Sequence, residues 1–120
     1  RLPDWAADHL APDARPHYAV GRRGEIAAVL FGYPYQAPPP ADHNNKILWL
    51  AKDAPAVPAS EATLHITARL DGTGRPVTRS VDGGPGPSTI DLPEAGCWRF
   101  TLTWPGGHED SLDLLYRDPS

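Results

Sequence analysis

The sequence predicts an all-β fold, a sandwich of about seven to eight antiparallel strands. Short apolar segments of strand length recur along the chain, and turn signals rich in Gly, Pro and Asp separate them at intervals of about eight to twelve residues. No segment has the apolar period of a convincing amphipathic helix. A closed barrel shares these features, and we favour the sandwich.

Length and charge restrict the classes of function. A chain of 120 residues has the size of one domain, and we expect residues 1–120 to form a single one. The formal net charge of −4 and the absence of any block of Lys or Arg argue against a nucleic-acid partner, which needs a clustered basic surface. No apolar run approaches the roughly 20 residues of a membrane span, so none is expected.

The start and the composition of the chain bear on its origin. The sequence begins with Arg1 and contains no Met, so we expect that an initiator, with or without a leader or lipid-anchored segment, was removed or omitted. This permits export, and we predict an extracytoplasmic protein, either secreted or lipid-anchored. The bias toward Ala, Pro, Gly and Arg is typical of a GC-rich bacterial genome.

The segment 1–24 is expected to be irregular and packed on the sandwich. Prolines interrupt it at a spacing that prevents a long helix. At most, Asp4 could cap a short helix that continues through Ala7 and Leu10. A weak strand signal lies at 17–20.

Seven further segments have the features of strands, either short apolar runs or period-2 alternation bounded by Gly and Pro. They are 25–31, 46–51, 64–70, 76–81, 89–92, 97–104 and 111–116. Alternation is clearest at 97–104, which predicts a core strand. Glycines predict a hairpin at 71–74, and the last two strands are expected to form another across 105–110. The proline-rich segment 32–45 has no periodicity and is expected to be the longest loop.

The segment 94–100 (Glu-Ala-Gly-Cys-Trp-Arg-Phe) resembles part of the immunoglobulin-like domains. There an acidic residue and a Gly precede a corner tyrosine, and the cysteine of strand F follows two positions later. Trp98 stands in the tyrosine position and Phe100 in the cysteine position. Trp49, on the strand after the first central one, is similar to the Trp that these domains bury beneath the contact between their sheets.

The resemblance implies an immunoglobulin-like sandwich with two departures. The segment 25–31 contains no cysteine, so the disulfide between the sheets is absent. Trp98 has no phenol, but its indole N–H could donate to a backbone carbonyl. More loosely, the segments 45–49 and 96–99 are similar to a group of uncharacterised exported or lipid-anchored actinobacterial proteins, which implies no mechanism.

Tyr33 and Tyr35 are the first candidates for a contact surface. They lie in a proline-rich segment, and a stiff frame offers aromatic area at little cost in entropy. The alternative is that both tyrosines fold back onto the edge of the sandwich. Trp5 is the other candidate, because an indole in a weakly structured segment must either dock on the sheet, which is the more common outcome, or remain exposed.

The histidines do not predict a metal site or a cofactor. His43 follows Asp42, and His108 precedes two acidic residues, but neither group has a His-x-His or Cys-x-x-Cys spacing that would position ligands. We interpret both groups as polar loop tips, so they remain weak candidates. The Gly-rich turn at 83–86 lacks the Lys-Ser/Thr sequence of a phosphate-binding loop.

No catalytic group is predicted either. The serines lie in ordinary strand or turn sequence without a Gly-x-Ser-x-Gly motif, and the adjacent Glu109 and Asp110 would point to opposite sides of an extended chain. Cys97 is the single cysteine, which excludes an internal disulfide. Its side chain should project away from the main core, and we expect it to be packed beneath a loop rather than exposed for pairing between molecules.

These observations predict a non-catalytic exported or surface-anchored module that binds a protein partner through end loops or an edge strand. The alternative is a carbohydrate or cell-wall binding module, which requires Trp or Tyr rings flat on an exposed face. A small enzyme or metal-binding protein is a third hypothesis. It requires His43 and His108 to converge with a carboxylate in one pocket.

Overall fold

A computed structural model describes residues 2–53, 56–58 and 60–119 of the chain. Within these ranges one short helix precedes nine strands. The helix α1 spans Asp4–Ala7, and the strands are β1 (Tyr18–Val20), β2 (Ile26–Val29), β3 (Tyr35–Gln36), β4 (Lys46–Ala51), β5 (Leu64–Leu70), β6 (Val77–Val81), β7 (Pro87–Thr89), β8 (Gly96–Trp104) and β9 (His108–Arg117). The predicted all-β class is confirmed.

The strands form two sheets that pack face to face. The four-stranded sheet has the order β1-β2-β4-β7, and its neighbours are all antiparallel. The five-stranded sheet has the order β3-β9-β8-β5-β6 and is antiparallel except that β3 runs parallel to β9. The inner faces of both sheets contribute to one apolar core. The predicted sandwich is therefore confirmed.

Sequence patterning explains which faces are buried. β8 alternates along its length, so that Trp98, Phe100, Leu102 and Trp104 face the core while the residues between them face solvent. β5 alternates in the same way. β2 is buried at all four positions, as expected for the continuous apolar run of a central strand.

The structure corrects the limits of two strands. β7 lies at Pro87–Thr89 rather than at 89–92, and the buried residues that follow it belong to no strand. β9 begins at His108 rather than at 111. Gly106 and Gly107 adopt φ values of 97° and 73°, which lets the chain turn in so few residues that Trp104 pairs directly with His108.

The segment 32–45 was predicted to be a loop, but it contains the short strand β3. The chain crosses here from the four-stranded to the five-stranded sheet and returns in β4. Tyr35 pairs with Tyr116 of β9, and their ring centroids lie 5.3 Å apart. Gly32 permits the close passage of the chain, because a Cβ there would lie 2.6 Å from the backbone nitrogen of Lys46.

The buried side chain of Asn45 holds this crossing in place. Its Oδ1 accepts a hydrogen bond from the Gln36 N–H at 3.0 Å, and its Nδ2 donates to the Gln36 carbonyl at 2.8 Å. Nδ2 also donates to Asp91 Oδ1 at 3.0 Å, and the Asn45 carbonyl accepts from the Ile90 N–H at 3.1 Å. One residue therefore ties β3 to the start of β4 and to the segment after β7.

Asp110 is the second buried polar residue among those that the structure describes. Its carboxylate accepts hydrogen bonds from the backbone N–H groups of Arg23 and Ser111, each at 2.8 Å, and of Glu25 at 2.9 Å. Gly21 leaves room for this arrangement, because a Cβ there would overlap the carboxylate. The turn between β1 and β2 is thereby fixed to β9.

Aromatic side chains join the two sheets in the core. Trp49 of β4 and Phe100 of β8 lie in opposite sheets with ring centroids 5.9 Å apart. The Trp98 indole N–H donates to the Glu94 carbonyl at 2.9 Å, so the expected bond to backbone is confirmed. Trp49 is fully buried beneath the contact between the sheets, as expected from the sequence.

We expect Asn45→Ala to lower the free energy of unfolding by about 2–3 kcal/mol. The substitution leaves the N–H and C=O of Gln36 without these partners in a half-buried site, and an unsatisfied buried group costs roughly 1–3 kcal/mol. Urea denaturation followed by tryptophan fluorescence measures the loss. Asn44→Ala is the matched control, because the side chain of the exposed Asn44 accepts only from the exposed Thr89 hydroxyl. Equal losses in the two variants would contradict the role of Asn45.

Candidate binding surface

An exposed aromatic cluster, which we define as His17, Phe31 and Tyr33, lies where β1 begins and β2 ends. The His17 and Tyr33 rings stack with centroids 3.9 Å apart and an interplanar angle of 13°. Phe31 is 56% exposed and Tyr33 is 45% exposed. The Tyr33 N–H donates to the Leu30 carbonyl at 3.2 Å, which closes the turn that carries both residues. Large apolar side chains exposed together are typical of interaction sites.

Sequence reasoning identified Tyr33 in this cluster but not the other two members. Phe31 ends the apolar run 25–31 and was assigned to a buried strand, whereas β2 ends at Val29. The following Gly32 was a turn signal that could have indicated the earlier end of the strand. No signal in the sequence distinguishes His17 from the other histidines.

Tyr35, the second predicted contact residue, lies in the core. It is 1% exposed, and its hydroxyl donates to the Lys46 carbonyl at 2.7 Å. The hydroxyl of its stacking partner Tyr116 donates to the Ile90 carbonyl at 2.7 Å. Tyr33 and Tyr35 are therefore not brought together on one surface. Tyr33 belongs to the aromatic cluster, and Tyr35 packs between the sheets.

Trp5, the third predicted contact residue, is half-buried on α1. The segment around it forms an open cleft of about 760 Å³, although Trp5 itself does not line it. Small-molecule pockets have volumes of this order. Most of the lining is apolar, with Asp8 and Arg15 as the charged contributors. The apolar lining includes Leu2, Ala7, Leu10, Ala11, Ala14 and Tyr18.

The two weak candidates for metal ligands have different surroundings. His108 stacks on Trp104 at the β8–β9 hairpin, with centroids 5.4 Å apart. His43 lies in the loop before β4, and its Nε2 is shielded from solvent without a hydrogen-bond partner in the described chain. Within the described ranges, no group of three or more His, Cys, Asp or Glu side chains is arranged to hold a metal ion.

Cys97 is exposed on the outer face of β8, so the expectation that a loop covers it is corrected. The alternation of β8 explains its position, because Cys97 precedes the inward-facing Trp98. On the same outer face, Asp113 forms ion pairs with Arg22 at 2.7 Å and with Arg99 at 3.2 Å. Exposed pairs of this kind contribute little to stability.

No protein-family model matches the chain, and neither a curated protein nor a solved structure is found to be similar to it. In the part of the chain that the structure describes, no helix has the length and apolar character needed to cross a membrane. What the domain does must therefore be inferred from its own residues. The aromatic cluster and the adjacent cleft are the features that offer apolar surface to a ligand.

The buried tyrosines predict a loss of stability at alkaline pH. Burial raises the pKa of Tyr35 and of Tyr116 above the usual value near 10. The unfolded chain then loses these protons at a lower pH than the folded chain, so unfolding becomes more favourable as the pH rises above about 10. The stabilisation is fully present below that pH. Each tyrosine can lower the free energy of unfolding by up to about 1.4 kcal/mol per pH unit.

Urea denaturation between pH 8 and pH 11.5 measures this dependence, with the double variant Tyr35→Phe/Tyr116→Phe as the comparison. The variant should be less stable at pH 8, because two carbonyls lose their hydroxyl donors. Its stability should decrease less steeply above pH 10. Parallel curves for the two proteins would exclude the tyrosines as the cause of the alkaline loss.

Proposed function

We propose that this domain is a non-catalytic module, exported or surface-anchored, that binds a protein partner through the aromatic cluster. The observation that carries the proposal is the joint exposure of Phe31 and Tyr33, at 56% and 45%, on one turn. Large aromatic rings supply much of the binding energy in protein interfaces and are enriched in their centres. The stack on His17 holds the Tyr33 ring in one orientation, which reduces the entropy lost on binding.

The order of the strands supports an immunoglobulin-like assignment for the module. When β2, β4 and β7 are taken as strands A, B and E, their order in the sheet agrees with the A-B-E order of these domains. When β5, β6, β8 and β9 are taken as C, C′, F and G, the order β9-β8-β5-β6 agrees with G-F-C-C′. Trp49 and Phe100 then occupy the places of the B–F disulfide. β1 and β3 are additions to this set.

The architecture supports the proposed location outside the cytoplasm. Sandwiches of the immunoglobulin type are frequent among cell-surface proteins, where they present loops and edges to partners. The GC-rich composition bias of the sequence is consistent with a bacterial source. Export of the intact protein, tested by fractionating the producing cells, is required by the proposal.

Contacts of the polar and aromatic residues favour protein binding over carbohydrate binding and over a role as a small enzyme or metal-binding protein. The hydroxyls of Ser88 and Ser111 accept hydrogen bonds from Trp49 and Arg22, which is not how a catalytic base activates a serine. Trp49 lies in the core, as do the other two tryptophans that follow it in the chain. A flat sugar-binding platform would therefore have to use Tyr33, which has His17 stacked on its ring, or the half-buried Trp5.

We expect the double variant Phe31→Ser/Tyr33→Ser to bind a natural protein partner at least tenfold more weakly than the wild type. The immobilised domain is incubated with envelope and secreted fractions of the source organism, and retained proteins are quantified by mass spectrometry. A protein retained by the wild type is then purified and titrated against each variant. Phe31 and Tyr33 are 56% and 45% exposed, so the variant should stay folded and lose about 0.5–1.5 kcal/mol of stability, chiefly from the stack of Tyr33 on His17.

Leu115→Ser is the matched control, because Leu115 is 54% exposed on β9 outside the aromatic cluster. The proposal requires the partner to bind this control as it binds the wild type. Equal retention by the control and the double variant would remove the aromatic cluster as the site. A cell-wall oligosaccharide that stabilises the wild type but not Phe31→Ser/Tyr33→Ser would replace the protein partner with a carbohydrate.

A further inference from the structure

The outer edge of β1 has backbone groups without partners in the described chain. β1 is the first strand of its sheet and pairs only with β2. Its C-terminal end approaches β9, where the Arg22 N–H donates to the Ser111 carbonyl, so the free part of the edge is at Tyr18. In this antiparallel pair the His17 carbonyl accepts from Leu30, and the Gly21 N–H donates to Ile26, so the odd-numbered residues face β2. Because the direction alternates along a strand, the N–H and C=O of Tyr18 point away from the sheet.

The other free edges are less suited to pairing with a further strand. β6 carries Arg79, whose guanidinium reaches across the edge to the carbonyls of Thr78 and Asp91 at 2.8 and 3.0 Å. β7 is as short as β1 but begins with Pro87. Charged residues and prolines are devices that prevent edge pairing. β1 has the sequence Tyr-Ala-Val and contains neither.

The apolar cleft lies next to the same edge of β1. Tyr18 is both the strand residue with outward-facing backbone groups and part of the lining of the cleft. A strand that adds to a sheet edge places alternate side chains on one side, where a pocket can select them. The volume of about 760 Å³ is large enough for an apolar side chain. Asp8 and Arg15 also line the cleft and can contact polar groups of the added chain.

The edge is held rigidly at its other end. The Arg22 N–H donates to the Ser111 carbonyl of β9 at 2.8 Å, and the Asp110 carboxylate binds the turn that follows β1. A fixed edge does not have to be ordered when a ligand binds, which favours affinity. The hydrogen-bonding pattern of the edge suits an extended backbone rather than a small molecule or a sugar.

We propose that an extended segment of the protein partner adds to β1 as a further strand and inserts an apolar side chain into the cleft. This inference rests on the proposed function, since it specifies the form of the protein that the module binds. The aromatic cluster contacts a neighbouring part of the same partner, because His17 immediately precedes β1 and Leu30 N–H bonds to its carbonyl at 2.8 Å.

A displayed library of random linear ten-residue peptides tests the inference without knowledge of the partner. We expect the intact domain to enrich peptides with apolar residues at alternate positions, and the most enriched peptide is synthesised with a fluorescent label. Its affinity is then measured by fluorescence polarisation for the wild type and for three variants. N-methylation of alternate peptide nitrogens should weaken binding at least tenfold, because it removes donors to the strand edge.

The variants distinguish the contribution of the backbone hydrogen bond at Tyr18 to binding from the contribution of the cleft. Tyr18→Pro removes the outward N–H without removing a bond to β2, whereas Tyr18→Ala removes the same ring and keeps the N–H. We expect Tyr18→Pro to bind the peptide at least tenfold more weakly than Tyr18→Ala. Ala11→Trp places a large side chain from an exposed position into the cleft. It should also weaken peptide binding at least tenfold. Circular dichroism and thermal melts show whether each variant is folded.

Several outcomes would overturn the inference. They are the absence of any enriched peptide, equal affinity of Tyr18→Pro and Tyr18→Ala, and full binding by Ala11→Trp. A concentration-dependent dimer of the wild type that Tyr18→Pro abolishes would assign the edge to a second copy of the chain instead. If Phe31→Ser/Tyr33→Ser loses the natural partner but the wild type binds no peptide at β1, only strand addition is refuted. If the wild type binds peptides at β1 but no natural partner binds at the aromatic cluster, only the proposed site at that cluster is refuted.

Discussion

The buried amide of Asn45 is the contact on which the arrangement of the two sheets depends. The chain passes from one sheet to the other between β2 and β4, and a crossing segment lacks the continuous ladder that satisfies backbone groups within a sheet. Asn45 offers an acceptor to the Gln36 N–H and a donor to the Gln36 carbonyl. An aspartate could accept the first bond but not donate the second. The residue type therefore follows from the geometry of the crossing.

The crossing also explains why Tyr33 and Tyr35 have opposite environments. Residues two positions apart share a face only when the chain between them is a regular strand. Here Tyr33 lies on the turn after β2, and the extended conformation of β3 begins at Tyr35. The ladder between β3 and β9 places Tyr35 opposite Tyr116, where the two rings stack. Tyr33 precedes this ladder and lies at the surface beside His17.

The hydrophobic pattern of the sequence predicted the strands whose two faces differ in burial. The alternation of 64–70 and 97–104 identified β5 and β8, because one face of each strand is buried and the other is wet. β3 has only two residues and depends on Asn45 and Tyr116, which no local window contains. Phe31 was assigned to a strand because the apolar run extends to it. An apolar run does not show where pairing with the neighbouring strand stops.

The candidate site was less predictable than the core for the same physical reason. Tyr33 was identified from its residue type and its proline-rich surroundings, but its stack on His17 joins positions sixteen apart in the chain (17 and 33). The cleft depends on the path of the segment 1–24, where prolines exclude a long helix without specifying what replaces it. The Trp98 bond to Glu94 was accessible from the sequence because it is local and belongs to a corner motif.

Aromatic contacts join the two sheets of this chain, which has a single cysteine. Trp49 and Phe100 meet across the core, and buried aromatic pairs contribute roughly 0.5–1.5 kcal/mol beyond the area that they bury. A disulfide stabilises mainly by restricting the unfolded chain, whereas these rings stabilise the folded state directly. The stability of the folded state then depends on close packing of the core. The end of the sandwich beside β1 lies outside this core and can carry exposed apolar surface.

The features of the proposed binding surface converge on β1, the edge strand of the four-stranded sheet. Asp110 fixes the turn after β1 to β9, and the ladder with β2 fixes its inner side. On its outer side, the backbone groups of Tyr18, the cleft and the stacked ring of His17 lie close together in the chain, whereas Phe31 and Tyr33 are brought there by the fold. β1 carries neither a charge nor a proline and is protected as an edge only by its length of three residues. The proposed strand addition requires an edge of this kind.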